Sequence, residues 1–404
     1  MTYRELNDRN YFEVNGTHLE IMLPDTVALA IPENKSGAIS TVELVIQITN
    51  NTSEQFSMSF DDTFIPELVN SDGQTLQGII VIYEQEPTNQ SNISQQHNWR
   101  FKLRCLFSKL VNRRKHPINV NSWLIHPGSK SVSHLNGRLF WQNDLLILEL
   151  STKDFSLDFE YFRPKTYYSF NGLQPGNYQL RFIYFNKFSS SYNNELDAIE
   201  VTKLPQIASS HPTAAFVNFR LVQPVEPKSS AVEVDGIRFE ILMPEKILRL
   251  PEKKRDIKTR MELGICITNN TPTPVRFSFF ATIIPQLVGA DGQLHFQGYY
   301  RRGTKRRLES DFPLVMPGEN ITFFPYSLLY WQKRNQFILR IEAGDGGYYI
   351  FKALKAGVYQ IQFTYNNKEA IAEVYHRKTM NTNLIEGIWM GIISTPQVEF
   401  RLDR

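Results

Sequence analysis

Apolar and polar residues alternate with a period of two along much of this chain. Alternation over this length is typical of β-strands that bury one face and expose the other. Helical periodicity is scarce, and its best example is residues 99–111, where Phe101, Cys105, Leu106 and Leu110 could line one helix face. Many short strands separated by turn residues predict an all-β sandwich or barrel. The alternating segments are 42–48, 56–60, 178–184, 261–267, 275–279 and 359–365.

The pattern is written twice along the chain. Residues 14–78 recur at 234–298, a shift of 220 positions (234 minus 14). Solenoid repeats have a period of roughly 20–50 residues, so the copied unit is a whole domain, and positions kept in both copies are expected to serve the fold. Pro-Gly, Trp-Gln and Phe-Arg-Leu sequences recur later in each copy. They begin at Pro127 and Pro317, at Trp141 and Trp331, and at Phe219 and Phe400.

These matches predict the domain boundaries. The first domain covers residues 1–222, a linker covers 223–231, and the second domain covers 232–404. Two prolines in the linker favour an extended, semi-stiff spacer. The copies differ mainly where the first carries about 30 additional residues, a basic insert at about 85–120 that we expect in a surface loop.

Turn residues separate the alternating segments at matching places in both copies. Asn-Asn-Thr begins at Asn50 and at Asn269, and Asp-Gly begins at Asp72 and at Asp291. Both pairs supply residues that tolerate the positive φ angles of tight turns. The Asn-x-Thr spacing also matches a glycosylation pattern, but without a secretory signal we expect turns at these positions.

Each copy contains Leu-x-(Pro/Ala)-Gly-x-Tyr ahead of an alternating segment, ending at Tyr178 and at Tyr359. This looks like the tyrosine corner of Greek-key immunoglobulin-like sandwiches, in which the hydroxyl ties a loop to the following strand. We expect each hydroxyl to bond to the backbone a few residues upstream. The sequence therefore predicts two tandem immunoglobulin-like antiparallel β-sandwich domains.

The order of strands and turns resembles the bacterial intracellular proteinase inhibitor family and its immunoglobulin-like relatives. The resemblance covers most of each copy and implies the fold and a role in protein interaction. No inhibitory reactive loop can be transferred residue by residue, and the insert departs from the family's pattern. The residues that carry the resemblance are 49–52, 72–73, 127–128 and 176–178, with 268–271, 291–292, 317–319 and 357–359 in the second copy.

Composition narrows the class of protein. The 404 residues are 42% hydrophobic and 13% aromatic, which is typical of a folded globular chain. A net charge of +3 is too small to indicate nucleic-acid binding by itself. No apolar stretch approaches the roughly 18 residues of a membrane helix, and the N-terminal sequence shows no secretory apolar region. Cys105 and Cys266 occupy non-equivalent positions, so we expect no disulfide and a cytoplasmic location.

No constellation of residues predicts a catalytic reaction. None of the eight histidines has H-x-x-x-H spacing, and there is no C-x-x-C or G-x-S-x-G sequence. The glycine-rich residues 344–347 lack phosphate-binding spacing and are expected to form a hairpin turn. Asp61, Asp62 and Asp72 could bind calcium, but the second copy lacks the first two. We predict a protein that is not an enzyme, with no cofactor and no metal.

Basic clusters are the strongest candidate for a binding site, because both copies place cations in the same connection. One interpretation is a solvated loop that has no binding role and keeps the protein soluble. The functional alternative is a surface for an acidic partner, helped by nearby aromatic residues such as Tyr299 and Tyr300. The candidate binding residues are Lys109, Arg113, Arg114 and Lys115, with Arg301, Arg302, Lys305, Arg306 and Arg307 in the second copy. A third cluster without a basic match in the first copy is Lys253, Lys254, Arg255, Lys258 and Arg260.

Trp141 and Trp331 recur at equivalent positions beside an aromatic residue and are expected to fill space between sheets. Together these features predict a non-catalytic interaction or adaptor protein that binds a protein partner through loops and sheet edges. A proteinase is one such partner. The alternative is an anion-binding module that docks nucleic acid or an acidic membrane surface through the matched basic loops.

Overall fold

The structure of the chain, a computed structural model, is all-β. Its described part forms strands and a single 3-10 turn at Glu309–Asp311, and contains no α-helix. The all-β prediction is therefore confirmed. The candidate helix at 99–111 and the basic insert at about 85–120 lie outside the described residues. These are residues 10–403, with gaps at 15, 25, 36, 60–63, 84–121, 153–164, 185–213, 227–228, 253–256, 291, 293, 296, 302, 304 and 333–335.

The first half of the chain forms two sheets and a short two-stranded ribbon. One sheet has the strand order β1-β2-β4-β10-β11-β12-β8, the second contains β3-β14-β13-β6-β7, and β5 pairs with β9. In chain order the strands are β1 (Tyr11–Val14), β2 (Thr17–Ile21), β3 (Thr26–Ala30), β4 (Ile39–Asn50), β5 (Phe56–Ser59), β6 (Phe64–Asn70), β7 (Thr75–Gln77), β8 (Ile79–Tyr83), β9 (Ser122–Ile125), β10 (Lys130–Gln142), β11 (Leu145–Thr152), β12 (Lys165–Asn171), β13 (Gly176–Tyr184) and β14 (Ala214–Val222).

The second half forms corresponding sheets with some additional strands. Their orders are β15-β16-β19-β24, β18-β25-β26-β27-β22 and β17-β32-β28, where β28 also pairs with β21 and β31. The short pairs are β20-β23 and β29-β30. In chain order the strands are β15 (Ala231–Val234), β16 (Ile237–Leu242), β17 (Ile247–Arg249), β18 (Lys258–Met261), β19 (Gly264–Asn269), β20 (Val275–Arg276), β21 (Ile283–Gly289), β22 (Gln297–Arg301), β23 (Leu314–Val315), β24 (Asn320–Phe323), β25 (Ser327–Gln332), β26 (Gln336–Glu342), β27 (Gly347–Leu354), β28 (Gly357–Asn367), β29 (Ala372–His376), β30 (Asn381–Ile385), β31 (Gly391–Ser394) and β32 (Val398–Asp403).

One long strand pair of the first half is divided in the second half. Strands β4 and β10 pair without interruption, whereas their counterparts are two separate pairs, β19 with β24 and β18 with β25. Pro325 lies between β24 and β25, and a proline has no N–H to donate to a sheet ladder. The alternating segment 261–267 is consequently not one strand, as its pattern predicts, but is broken between Met261 and Gly264.

Each half buries an apolar core between its sheets. Ile46 of β4 and Phe182 of β13 belong to the core of the first half, and Phe239 of β16 and Phe363 of β28 belong to the core of the second. All four side chains are fully buried. The apolar residues of the alternating segments therefore face inward, and burying each large side chain contributes about 1.5–3 kcal/mol.

The two halves share a sheet. Strand β3 of the first half pairs in parallel with β31 of the second, which makes one ten-stranded sheet. Ala28 and Ala30 of β3 pack into the core of the second half, and Ile392 of β31 packs into the core of the first. Backbone pairing and apolar packing both cross the boundary, so the halves are expected to unfold together.

A buried polar network also joins the halves. The Gln362 Oε1 atom accepts a hydrogen bond from the Thr41 N–H at 3.2 Å. The Gln362 amide nitrogen donates to the Thr395 carbonyl at 2.6 Å and to the Ser40 hydroxyl at 3.3 Å. The Ser394 hydroxyl donates to the Thr41 carbonyl at 2.7 Å. All five residues are at most 4% exposed, so these groups depend on one another rather than on water.

The segment between the halves is not the extended spacer that its prolines predict. The Val225 N–H donates to the Ala231 carbonyl at 3.1 Å, so the chain turns back on itself between these residues. Strand β15 begins at Ala231, only nine residues after β14 ends at Val222. The tertiary pairing of the halves decides this geometry, because it holds both ends of the segment in place.

We predicted that the Asn-Asn-Thr turn uses positive φ angles. In the structure, a side chain makes this turn instead. Asn50 is fully buried, and its φ is not positive. Its amide nitrogen donates to the Glu54 carbonyl at 2.8 Å and the Ile125 carbonyl at 3.0 Å. Its Oδ1 atom accepts from the N–H of Thr52 at 2.9 Å and from the hydroxyl of Thr52 at 2.7 Å. The side chain is thus an internal cross-link between two loops.

The second half repeats the same cross-link at Asn269. This residue is also fully buried, and its amide nitrogen donates to the Thr273 carbonyl at 2.8 Å and the Val315 carbonyl at 2.9 Å. The N–H and the hydroxyl of Thr271 donate to its Oδ1 atom at 3.0 and 2.6 Å. The Asp-Gly turns do use positive φ, which is 78° at Gly73 and 74° at Gly292.

The tyrosine-corner contacts are confirmed in both halves. The Tyr178 hydroxyl donates to the Gln174 carbonyl at 2.9 Å and accepts from the Gln174 N–H at 3.0 Å. The Tyr359 hydroxyl makes the same two bonds with Lys355, at 2.9 and 3.0 Å. Each hydroxyl therefore ties the loop four residues upstream to the strand that follows.

We expect Tyr178→Phe and Tyr359→Phe each to lower the free energy of unfolding by about 1–2 kcal/mol, because each change leaves backbone groups unpaired. Urea denaturation measures the loss. If the halves were independent domains, each loss would stay within the unfolding of its own half. Since the halves share a sheet, we now expect one common transition to shift. Tyr11→Phe is the control, because this tyrosine is 41% exposed. An equal loss in the control would contradict the assignment.

Candidate interaction face

The outer surface of the sheet β18-β25-β26-β27-β22 is covered by tyrosine and cationic side chains. In these strands Met261, Leu329, Leu339 and Phe351 point into the core. Residues at the alternate positions therefore point away from it. We call this surface the aromatic–cation face. Its residues are Lys258, Arg260, Tyr300, Tyr326, Tyr330, Arg340, Tyr348 and Lys352.

Cations lie over the tyrosine rings on this face. The Arg340 guanidinium is 4.1 Å from the centre of the Tyr348 ring. The Tyr348 and Tyr300 rings stack at 5.9 Å with an interplanar angle of 19°. The Lys352 Nζ atom is 5.3 Å from the centre of the Tyr300 ring and donates to its hydroxyl at 3.1 Å. These contacts hold long side chains in defined positions while leaving the charges at the surface.

A second part of the face lies on β18 and at the start of β25. Arg260 is 5.6 Å above the Tyr326 ring, and Lys258 is 6.0 Å from the Tyr330 ring. Burial raises the pKa of Tyr330, although the nearby Arg340 opposes this shift. The Tyr330 hydroxyl is therefore a neutral hydrogen-bonding group at physiological pH.

The face is exposed and carries excess positive charge. Tyr300 is 40% and Tyr326 is 45% exposed. The four cations are accompanied by two carboxylates, the exposed Glu262 directly after β18 and Glu342, whose Oε1 atom is 3.4 Å from the Arg340 guanidinium. Beneath the long side chains, Leu328 and Ile338 are buried. An exposed patch of tyrosine and arginine over apolar residues has the composition of protein interfaces.

The equivalent surface in the first half has a different character. Thr41 takes the position of Arg260, since each lies one residue before the matching Val42 or Met261. Thr41 is only 4% exposed because its hydroxyl donates to Gln286 and its backbone bonds to the second half. Where the first half pairs Arg138 with Glu149 across two strands, the second half pairs Leu328 with Arg340. In the second half, therefore, no other half covers the position of Thr41, and an arginine replaces the carboxylate of Glu149.

In the described part of the predicted basic loop, cationic side chains contact groups of the protein itself. Lys109, Arg113, Arg114, Lys115 and Arg302 lie outside the described residues. Among the rest, the Lys305 Nζ atom is 2.9 Å from Asp311 and donates to the Gly344 carbonyl at 3.0 Å. The Lys305 side chain therefore binds groups of the protein itself.

Arginine side chains in the same loop are likewise engaged. The Arg307 guanidinium binds Glu369 through two nitrogens, at 2.6 and 3.1 Å. The Arg306 guanidinium lies 4.3 Å from the centre of the Tyr375 ring. The structure therefore separates the two basic groups named from the sequence. The loop cations hold local structure, whereas Lys258 and Arg260 join the aromatic–cation face.

Asp345 organises the hairpin turn predicted at 344–347. Its carboxylate is 3% exposed, accepts hydrogen bonds from the Tyr299 hydroxyl and from the Gly347 N–H, and lies 3.6 Å from Arg301. Burial, and then the hydrogen bond to Asp345, raise the pKa of Tyr299 to about 12. Arg301 is consequently a structural partner of this turn, and Tyr299 does not belong to the aromatic–cation face.

The recurring tryptophans are partly buried and bonded in the same way. The Trp141 indole N–H donates to the Pro32 carbonyl at 2.8 Å, and the Trp331 indole N–H donates to the Pro251 carbonyl at 2.5 Å. Each ring packs against the core of its own half. The expectation that these rings pack within the fold agrees with this geometry.

Other candidate chemical groups have structural surroundings. The His134 Nδ1 atom is 2.9 Å from the Glu43 carboxylate, and Cys266 is a free thiol on β19. Asp61 and Asp62 lie outside the described residues, and Asp72 is exposed in its turn. Within the described ranges, no three His, Cys, Asp or Glu side chains are placed to hold a metal ion.

Sequence reasoning missed most of the aromatic–cation face. Tyr326, Tyr330, Arg340, Tyr348 and Lys352 are the outward half of alternating segments whose apolar half was used to predict strands. The signal that could have found them is the type of outward residue. Outward positions of ordinary strands carry mixed polar residues, and here they repeatedly carry tyrosine, arginine and lysine.

Comparison of the chain with known protein families finds no matching family, and comparison with curated proteins finds no match. In the part of the chain that the structure describes, no helix is long and apolar enough to cross a membrane.

Proposed function

We propose that the chain is a non-catalytic interaction protein built from two tandem immunoglobulin-like sandwiches, and that it binds a protein partner through the aromatic–cation face. The tyrosine-corner bonds in both halves support this domain assignment. The recurring strand order also supports it, because β15-β16-β19 in the second half corresponds to β1-β2-β4 in the first. The location we propose is cytoplasmic.

One observation carries the proposed binding function. The surface around Thr41 in the first half is covered by the second half, whereas the equivalent surface around Arg260 is open. The same fold element thus serves as an interface within the chain and is presented to solvent in its second copy. Tyrosine and arginine are enriched where protein partners bury surface.

The alternative function, anion binding through the matched basic loops, has less support. It requires cations whose charge is free to meet phosphates. In the described part of the second loop, Lys305 and Arg307 are paired with carboxylates, and Arg306 lies against an aromatic ring. An adapted form of the proteinase-inhibitor role, implied by the resemblance above, remains compatible with protein binding at the aromatic–cation face.

Site-specific photocrosslinking tests the proposed function. A photoreactive phenylalanine analogue at Tyr326, which is 45% exposed, should form an adduct with a defined protein in native lysate. The same analogue at Tyr11, which is 41% exposed on β1, is the matched control. Charge reversal by Arg260→Glu should remove the adduct at 326. Adducts of the same kind at both positions, or none at 326, would overturn the proposal.

A further inference from the structure

We infer that the partner of the aromatic–cation face presents an acidic, extended protein segment. This inference rests on the proposed function and specifies the chemistry of the occupant. The face holds four cations against two carboxylates in the described residues, Glu342 on β26 and the exposed Glu262 directly after β18. A partner that supplies carboxylates would balance charge that the chain itself leaves unbalanced.

The two halves differ in the carboxylate that they place on this sheet surface. In the first half, Glu149 lies opposite Arg138 across β10 and β11. In the second half the position of Glu149 is taken by Arg340, opposite Leu328. An acidic group that the fold places inside the first half is therefore absent from the second, and a carboxylate from outside can take its electrostatic role.

The rings favour a peptide over a nucleic acid. Single-stranded nucleic acids bind aromatic platforms by stacking bases on open ring faces. Tyr348 already lies between Arg340 and Tyr300, and Tyr300 in turn contacts Lys352. A base would have to displace these partners. A carboxylate does not, because it can bind the outer edge of a guanidinium whose flat side rests on a ring.

Spacing between strands sets the length of the segment. The cations lie on β18, β26 and β27, and β18 is separated from β27 by β25 and β26. Three strand spacings of about 4.8 Å give about 14 Å. An extended chain rises about 3.3 Å per residue, so about five or six residues cross the whole cationic region. A short acidic stretch is therefore long enough to meet all four charges.

Binding of short peptides to the full chain tests the inference. The probe is a fluorescently labelled, capped hexaglutamate, compared with capped hexaglutamine by anisotropy at low salt. With exposed ion pairs worth about twofold each, hexaglutamate should bind at least about tenfold more tightly. The variant Arg260→Glu with Arg340→Glu should lose about tenfold of that affinity. Replacing Arg340 also disturbs the apolar residues that it covers. The second variant is therefore Lys258→Glu with Lys352→Glu, which leaves Arg340 in place.

A matched charge change distinguishes the face from net charge. Arg249→Glu with Arg377→Glu reverses two exposed cations on β17 and beyond β29, and should change the affinity by less than about twofold. An equal loss in this control would overturn the inference, as would equal binding of the two peptides. Tighter binding of hexauridylate than of hexaglutamate would assign the face to nucleic acid instead. If an adduct forms at Tyr326 but hexaglutamate binds no more tightly than hexaglutamine, the proposed function is kept and the inference of an acidic partner is rejected.

Discussion

Replacement of the buried Asn50 by alanine is expected to lower the free energy of unfolding by about 4 kcal/mol. The change removes the side-chain partner of the buried Ile125 carbonyl, and it also removes the Asn50 bonds to the Glu54 carbonyl and the Thr52 N–H. Each buried polar group left unpaired costs about 1–3 kcal/mol. Chemical denaturation at equilibrium measures the effect, and Asn269→Ala in the second half should give a loss of similar size.

The adjacent asparagine is the matched control. Asn51 is exposed, and only its backbone N–H is bonded, to the Gly16 carbonyl at 2.7 Å. Asn51→Ala should therefore change the unfolding free energy by less than about 0.5 kcal/mol. Comparable losses from both substitutions would show that the turn, and not the Asn50 amide, is responsible.

Substitution at the interface between the halves should have the second-largest effect. Gln362→Ala leaves the Thr41 N–H and the Thr395 carbonyl without their partners and opens a space where a 1%-exposed side chain lies. We expect a loss of about 3 kcal/mol. Because the network spans both halves, hydrogen exchange should become faster in β4 of the first half as well as in β28 of the second.

The control lies two residues away on the same strand. Gln360 is also buried, but its Oε1 atom has no hydrogen-bond partner. Gln360→Ala should therefore cost clearly less than Gln362→Ala. If Gln362→Ala speeds exchange only in β28, the network does not couple the halves, and the shared sheet alone must join them.

Strand prediction succeeded where local chemistry and tertiary position agree. The alternation at 42–48 predicts a strand because its apolar residues face a core on one side, and β4 covers this segment. The matching alternation at 261–267 fails between Met261 and Gly264. The cause lies on another strand, at Pro325, which withholds a ladder hydrogen bond from its neighbour. A pattern within one segment carries no information about the neighbouring strand.

The candidate site shows the same division. Sequence reasoning identified Lys258 and Arg260 as part of a basic cluster and could not place them beside tyrosines from β22, β25 and β27. It also grouped Arg301, Lys305 and Arg307 as a binding loop. The structure pairs these cations with Asp345, Asp311 and Glu369. Ion pairs between residues distant in sequence arise only when the sheets have packed.

Segments such as 42–48, the repeat and the tyrosine-corner contacts could be predicted from the sequence, because they depend on alternation and on contacts within a few residues. The hydroxyl of Tyr178, for example, reaches only four residues upstream. Only tertiary packing makes β3 pair with β31, lets Gln362 join the halves, and covers the surface around Thr41 while the equivalent cationic surface around Arg260 stays open. Residues 321 positions apart, such as Thr41 and Gln362, meet only because packing of two cores brings their strands together.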